Sequence, residues 1–187
     1  MRAALRSGLA CGVLCAFAAP AAAQSLLTCL SLLGGGCSCS AATSPISYGS
    51  VAADRIALQQ DSQGQVLVSC SASGRATLGV IGLVGLNVPY SVELGPSSTR
   101  SLRQASSAIA YRLYQNPART VEWGTAAEGR QLSSSIALQT SVSALGLVTL
   151  SFPTRTGVHP IYSRLLGPFR GLAAGVYSDT VTVTIVY

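Results

Sequence analysis

Four of the six cysteines (Cys11 and Cys15 lie in the leader), one histidine and six carboxylates hold most of the chemistry open to this chain of 187 residues. Cys29, Cys37, Cys39 and Cys70 lie downstream of an export-type leader, and an even number of thiols in an oxidising compartment favours disulfides. They allow three pairings. The Cys37-x-Cys39 spacing is not that of a zinc knuckle, and His159 is far away in sequence, so no metal site is expected. His159 and Asp179 could be combined with any of many serines into a nominal triad, but no Gly-x-Ser-x-Gly elbow precedes a helix. His159, before Pro160, reads as a loop residue, and Asp179 as a turn or edge residue at the head of the last strand. The carboxylates are scattered and form no evident pair for glycoside hydrolysis. Neither an enzyme nor a cofactor is expected.

The elements that hold these residues start with an export signal. Met1-Arg-Ala-Ala-Leu-Arg6, an apolar run from Gly8 to Ala19 and Ala21-Ala-Ala23 have the charge, length and small-residue site of a secretory signal peptide cut after Ala23, so residues 1–23 are assigned to it. The run is too short to span a bilayer as a mature helix. Cleavage takes away Arg2 and Arg6 and leaves ten arginines, no lysine and six acids. The arginines form no run, which argues against a nucleic-acid partner.

Residues 24–36 (QSLLTCLSLLGGG) form an N-terminal extension whose three glycines read as a flexible joint. Its leucines have two readings: a leader that packs locally and is held by Cys29, or a tethered donor strand with Leu26, Thr28, Leu30 and Leu32 in alternation, to be inserted into another subunit. Residues 37–187 are expected to form one β domain. A first strand runs from Cys39 to Val51 with Pro45 as an edge feature, and a second is Gly64-Gln-Val-Leu-Val-Ser-Cys70. A Cys39–Cys70 bridge would clamp these two and close a loop of about thirty residues, worth ~3–4 kcal/mol. Cys29–Cys37 would then be a local clasp.

From Ala76 to Val88, glycines 79, 82 and 85 interrupt an apolar run. The stretch reads either as a glycine-loosened core strand or as an exposed adhesive loop presenting Ile81, Leu83, Val84 and Leu86. Further strands are expected at 90–94, 109–114, 134–140, 147–152 and 158–165, with Trp123 as a core residue. After Gly175, Val181, Val183, Ile185 and Tyr187 alternate with Thr180, Thr182, Thr184 and Val186, a strand with one apolar face. Short strands punctuated by Gly, Pro and Ser, with no convincing helix, give an all-β antiparallel sandwich. Its last strand either ends on a tolerated edge or lacks a partner strand.

An ordered set of motifs then resembles the spore coat protein U domain, found in secreted subunits of archaic chaperone–usher pili and of spore coats. The set is Cys39-Ser-Ala…Ile46-Ser-Tyr-Gly49, Val66-Leu-Val-Ser-Cys70, Tyr90-Ser-Val-Glu-Leu-Gly95, Ile109-Ala-Tyr-Arg-Leu-Tyr114, Arg119…Trp123-Gly124, Tyr162-Ser-Arg164 and Gly175-Val-Tyr-Ser-Asp-Thr-Val-Thr-Val-Thr184. The resemblance implies an incomplete immunoglobulin-like sandwich completed by donor-strand complementation. It implies a periplasmic pilus chaperone, an outer-membrane usher and neighbouring pilin subunits in a head-to-tail polymer as partners, and export through the periplasm to the cell surface. The acceptor groove would be walled by Ile46 on one side and by Val181, Val183 and Ile185 on the other. The function implied is a structural subunit of a pilus or coat that supports adhesion or biofilm formation, the alternative being a tip or minor adhesin that binds surfaces through its apolar loop.

Overall fold

A computed structural model describes residues 26–27, 29, 32–50, 59–79, 81–167, 169 and 171–187. The expected signal peptide and the candidate donor residues Thr28 and Leu30 lie outside these residues. The strands are β1 (Leu26–Leu27), β2 (Leu33–Thr43), β3 (Gln59–Leu78), β4 (Gly82–Leu94), β5 (Ser101–Gln104), β6 (Ser107–Tyr114), β7 (Leu132–Val142), β8 (Gly146–Leu166) and β9 (Val183–Val186). They form two sheets. One runs β2-β3-β8-β6-β5; in the other, β4 has β7 on one side and both β1 and β9 on the other. Every pairing between strands is antiparallel except the two-residue β1–β4 contact. The protein is all-β, an immunoglobulin-like sandwich, with no helix among the described residues.

Period-two burial builds the core. Along β3, Val66, Val68, Cys70, Ala72, Ala76 and Leu78 face inward, and along β4 so do Val84, Leu86, Val88, Tyr90, Val92 and Leu94. A one-residue slip of either strand would turn its whole apolar set to solvent, so the register is strongly specified. Trp123 is fully buried and donates its indole N–H to the Val92 carbonyl at 2.9 Å. Beside it lies the buried Arg100, whose guanidinium donates to the carbonyls of Trp123 (2.7 Å), Gly95 (2.5 Å) and Leu94 (3.4 Å).

Several elements differ from expectation. The segment 76–88 is no single unit: Ala76 and Leu78 end β3, and the chain turns before β4 begins at Gly82. The three glycines are no free joint, because Gly34, Gly35 and Gly36 lie within β2. A Cβ on Gly35 would collide with the Ser73 carbonyl oxygen, so glycine here lets β2 press onto β3. The packed domain therefore starts upstream of residue 37. At its other end β2 stops at Thr43, and Pro45 falls in the segment 44–50, which makes no ladder.

Two expected strands, 147–152 and 158–165, are one 21-residue strand, β8. Its pairing with β3 shifts between Cys70 and Ala72, where β8 carries an extra residue. Pro153, which has no N–H to offer, falls in that bulge. The bulge also flips the phase of β8: Leu150 and Phe152 face inward before it, Ile161, Ser163 and Leu165 after it. His159 is consequently a strand residue, not a loop residue.

Candidate functional site

Each sheet ends on a strand without an outer partner among the described residues, and these two edges are neighbours. In the five-stranded sheet the β5 edge is closed by a bridge to Ser178, with Arg103 N–H donating to Ser178 O at 2.9 Å and Ser178 N–H to Arg103 O at 3.2 Å. Its other edge is β2, which pairs only with β3 among the described residues. In the second sheet β9 pairs only with β4 among the described residues, through Val183–Leu94 to Val186–Ser91, extended by Gly95 N–H to Thr182 O at 2.9 Å. The outer edge of β9 has no strand partner among the described residues.

The elements beside these edges carry half-buried apolar side chains packed against the core. Val181, Val183 and Ile185 face inward from β9 and its approach, while Thr182, Thr184 and Val186 face out. Tyr187 leaves the pattern and is exposed. On the opposite side, segment 44–50 lies along β3 and presents Ile46 and Tyr48 to the core. It is held by bonds outside the ladder: Ser44 N–H to Gln65 O at 3.0 Å, Ser62 Oγ to Ser47 O at 2.6 Å and Gln60 Nε2 to Tyr48 O at 2.5 Å. Ile46 has room because residue 64 is glycine; a Cβ there would lie 2.6 Å from Ile46 Cγ1. Tyr48 Oη bonds the buried Ser163 Oγ, and burial raises the phenol above its ordinary pKa despite that bond.

Cα atoms of β2 and β9 come within 8 Å of each other. A strand hydrogen-bonded between two others needs about 9.6 Å from one neighbour to the other. Seating one here requires the edges to part.

The cysteines close as Cys39–Cys70 and Cys29–Cys37. Cys39 and Cys70 are direct register partners on β2 and β3, with Cα atoms 4.2 Å apart, so this bridge staples the open-edge strand to the sheet. The second ties Cys29 to β2 across Cα atoms 5.5 Å apart. Of the candidate donor residues, Leu26 pairs through its backbone with Gly85 of its own chain, and Leu32 is a core residue of its own domain. The proposed adhesive loop is a strand for most of its length. Val84 and Leu86 are 0% and 1% exposed, while Ile81 and Leu83 are 61% and 48% exposed, because successive side chains on a strand alternate in direction.

The described titratable groups serve structure. His159 Nε2 bonds Tyr90 Oη at 2.7 Å, and burial lowers its pKa. Asp179 accepts instead from Tyr111 Oη at 2.7 Å, and burial followed by this carboxylate pushes the phenol well up. The two halves of the nominal triad thus have separate partners. Glu122 is paired to Arg112 and Arg130, Asp61 to Arg164 and Arg119, and Glu93 accepts from Ala126 N–H. Arg164 holds the Asp61 carboxyl below its usual range. Glu128 accepts the N–H groups of Thr125 (3.0 Å) and Ser97 (3.0 Å), which hold its pKa down to about 2. No group of three His, Cys, Asp or Glu side chains among the described residues could hold a metal. Sequence reasoning missed Arg100, whose partners are distant in the chain; it read 44–50 as the end of a strand, whereas that segment is held outside the ladder by Gln60, Ser62 and Gln65.

No curated protein matches the chain. A family profile, the Spore Coat Protein U domain, matches residues 23–184. That family consists of structural pilus and coat subunits and not of enzymes. With nearly its whole length matched and a sandwich of the corresponding class, the chain belongs to the Spore Coat Protein U domain family.

Proposed function

We propose that the protein is a subunit of a secreted surface fibre or coat whose groove between β9 and β2 receives an extended segment from another subunit. The observation that carries this reading is the pair of neighbouring edges, β9 and β2, unpaired among the described residues, with the half-buried Val181, Val183, Ile185 and Ile46 on the elements beside them. Unpaired edges over half-buried apolar side chains are an aggregation hazard unless covered. Strand addition covers both, through main-chain hydrogen bonds at the edge and side chains in the groove. Before assembly a periplasmic chaperone would protect the groove, and an outer-membrane usher would be the place of exchange. The contact is head-to-tail and does not close, so it propagates a fibre at the cell surface, where it supports adhesion or biofilm formation.

Charges placed in the groove test this. Ile185→Asp and Ile46→Asp should abolish co-purification with the chaperone and with other subunits. Leu145→Asp, at a residue 59% exposed in the turn before β8, should leave both intact. Wild-type assembly by the two groove variants would exclude this groove as the acceptor.

A further inference from the structure

The leucine-rich N-terminal segment is the natural candidate for a strand to be lent to a neighbour, and here it is retained by its own domain. Cys29 is covalently bonded to Cys37 in β2. Leu32 N–H donates to the Cys29 carbonyl at 3.5 Å, which turns the chain back, and the Leu32 side chain is 5% exposed within the core. It seats directly on Gly74, where a Cβ would lie 2.8 Å from Leu32 Cβ. From Leu33 the backbone enters the pairing with β3. Upstream of the disulfide, the Leu26 and Leu27 backbones pair with Gly85 and Leu86 of the same chain.

We infer that this subunit accepts a donor strand but gives none, and so terminates the fibre it joins. The inference rests on the strand-accepting reading above. A strand lying along the whole of β2 needs about the 11 residues that β2 itself has. With the cleavage after Ala23 that the leader pattern implies, residues 24–28 would stand ahead of the anchored Cys29. Lending more chain would require breaking Cys29–Cys37 in an oxidising space and pulling Leu32 out of the core. In a head-to-tail polymer each internal subunit supplies one groove and one donor. A subunit with a groove alone fits a single position, the terminus where no donor is called for. Because each newly added subunit gives its strand to the one before, that terminus is the first subunit exported and the end farthest from the cell.

Immunogold labelling of intact fibres on the native cells, with antibody raised against this chain, reads the position directly. The expected result is one gold cluster per fibre, at the end distal to the cell. Gold at internal positions along the fibre, or at its cell-proximal end, would overturn the inference while leaving strand acceptance in place. Recovery of the chain only as a free soluble monomer, with no fibre labelled, would remove the strand-accepting reading itself.

Discussion

Leu86→Ala and Leu83→Ser, three residues apart on β4, should have opposite consequences. Leu86 is 1% exposed and lies directly across from Leu138, which is fully buried. Truncating it removes buried methyl groups and leaves a cavity between two packed sheets, which costs about 2–5 kcal/mol. For a domain of this size each kcal/mol lowers the melting temperature by roughly 2–4 °C, so a loss of about 3 kcal/mol lowers it by roughly 6–12 °C. Leu83 is 48% exposed and points away from the core, so its replacement should stay within about 0.5 kcal/mol. The assay is thermal melting of each variant in complex with the same chaperone, which holds the partner's contribution constant. Equal, small effects from both substitutions would refute the burial alternation of β4 and return this stretch to an exposed loop.

Other consequences are as direct. Removing Cys39–Cys70 by double alanine substitution should cost about 3–4 kcal/mol, and removing Cys29–Cys37 about 2.5 kcal/mol, since the closed loops differ in length; melting of the two variants should preserve that order. Arg100→Met keeps the bulk but leaves the carbonyls of Trp123, Leu94 and Gly95 without their donor, so roughly 2–3 kcal/mol should be lost in urea unfolding. Glu128 titrates at about 2 in the folded chain against 4.5 unfolded, so its contribution is complete above pH 4.5 and disappears as pH falls toward 2. The melting curves of wild type and Glu128→Gln should therefore converge across that window; a constant gap would show that the Thr125 and Ser97 contacts do not hold this carboxylate.

The parts of the fold legible in the sequence were those with local periodicity. The inward set of the terminal strand, Val181, Val183 and Ile185, is in the phase that its Thr alternation implies, although only Val183–Val186 enters the ladder. β4 carries an equally clean alternation, but reading it together with Ala76 and Leu78 straddled the turn before Gly82 and blurred the strand into a loop. The sequence reads as two strands where β8 is one, and only the partner strand β3 reveals the bulge that accommodates Pro153. Gly34, Gly35 and Gly36 read as a joint because the packing of Gly35 against Ser73 is a contact between strands, which no local pattern marks.

The proposed groove is half legible. The inward phase of Val181, Val183 and Ile185 follows from alternation, but segment 44–50 is held by Gln60, Ser62 and Gln65, whose role no spacing announces. The N-terminal leucines could be read as donor or local leader from composition alone. The Cys29–Cys37 bond and the burial of Leu32 support the proposal of retention, and both are tertiary facts.

The measurement closest to the central claim is periplasmic expression with and without the cognate chaperone, followed by purification and native mass analysis. An open groove predicts a one-to-one complex with the chaperone, and aggregation or strand-exchanged association with other subunits without it. A soluble, cooperatively folding monomer obtained with no partner would mean that the β9 and β2 edges need no covering, and would contradict the account.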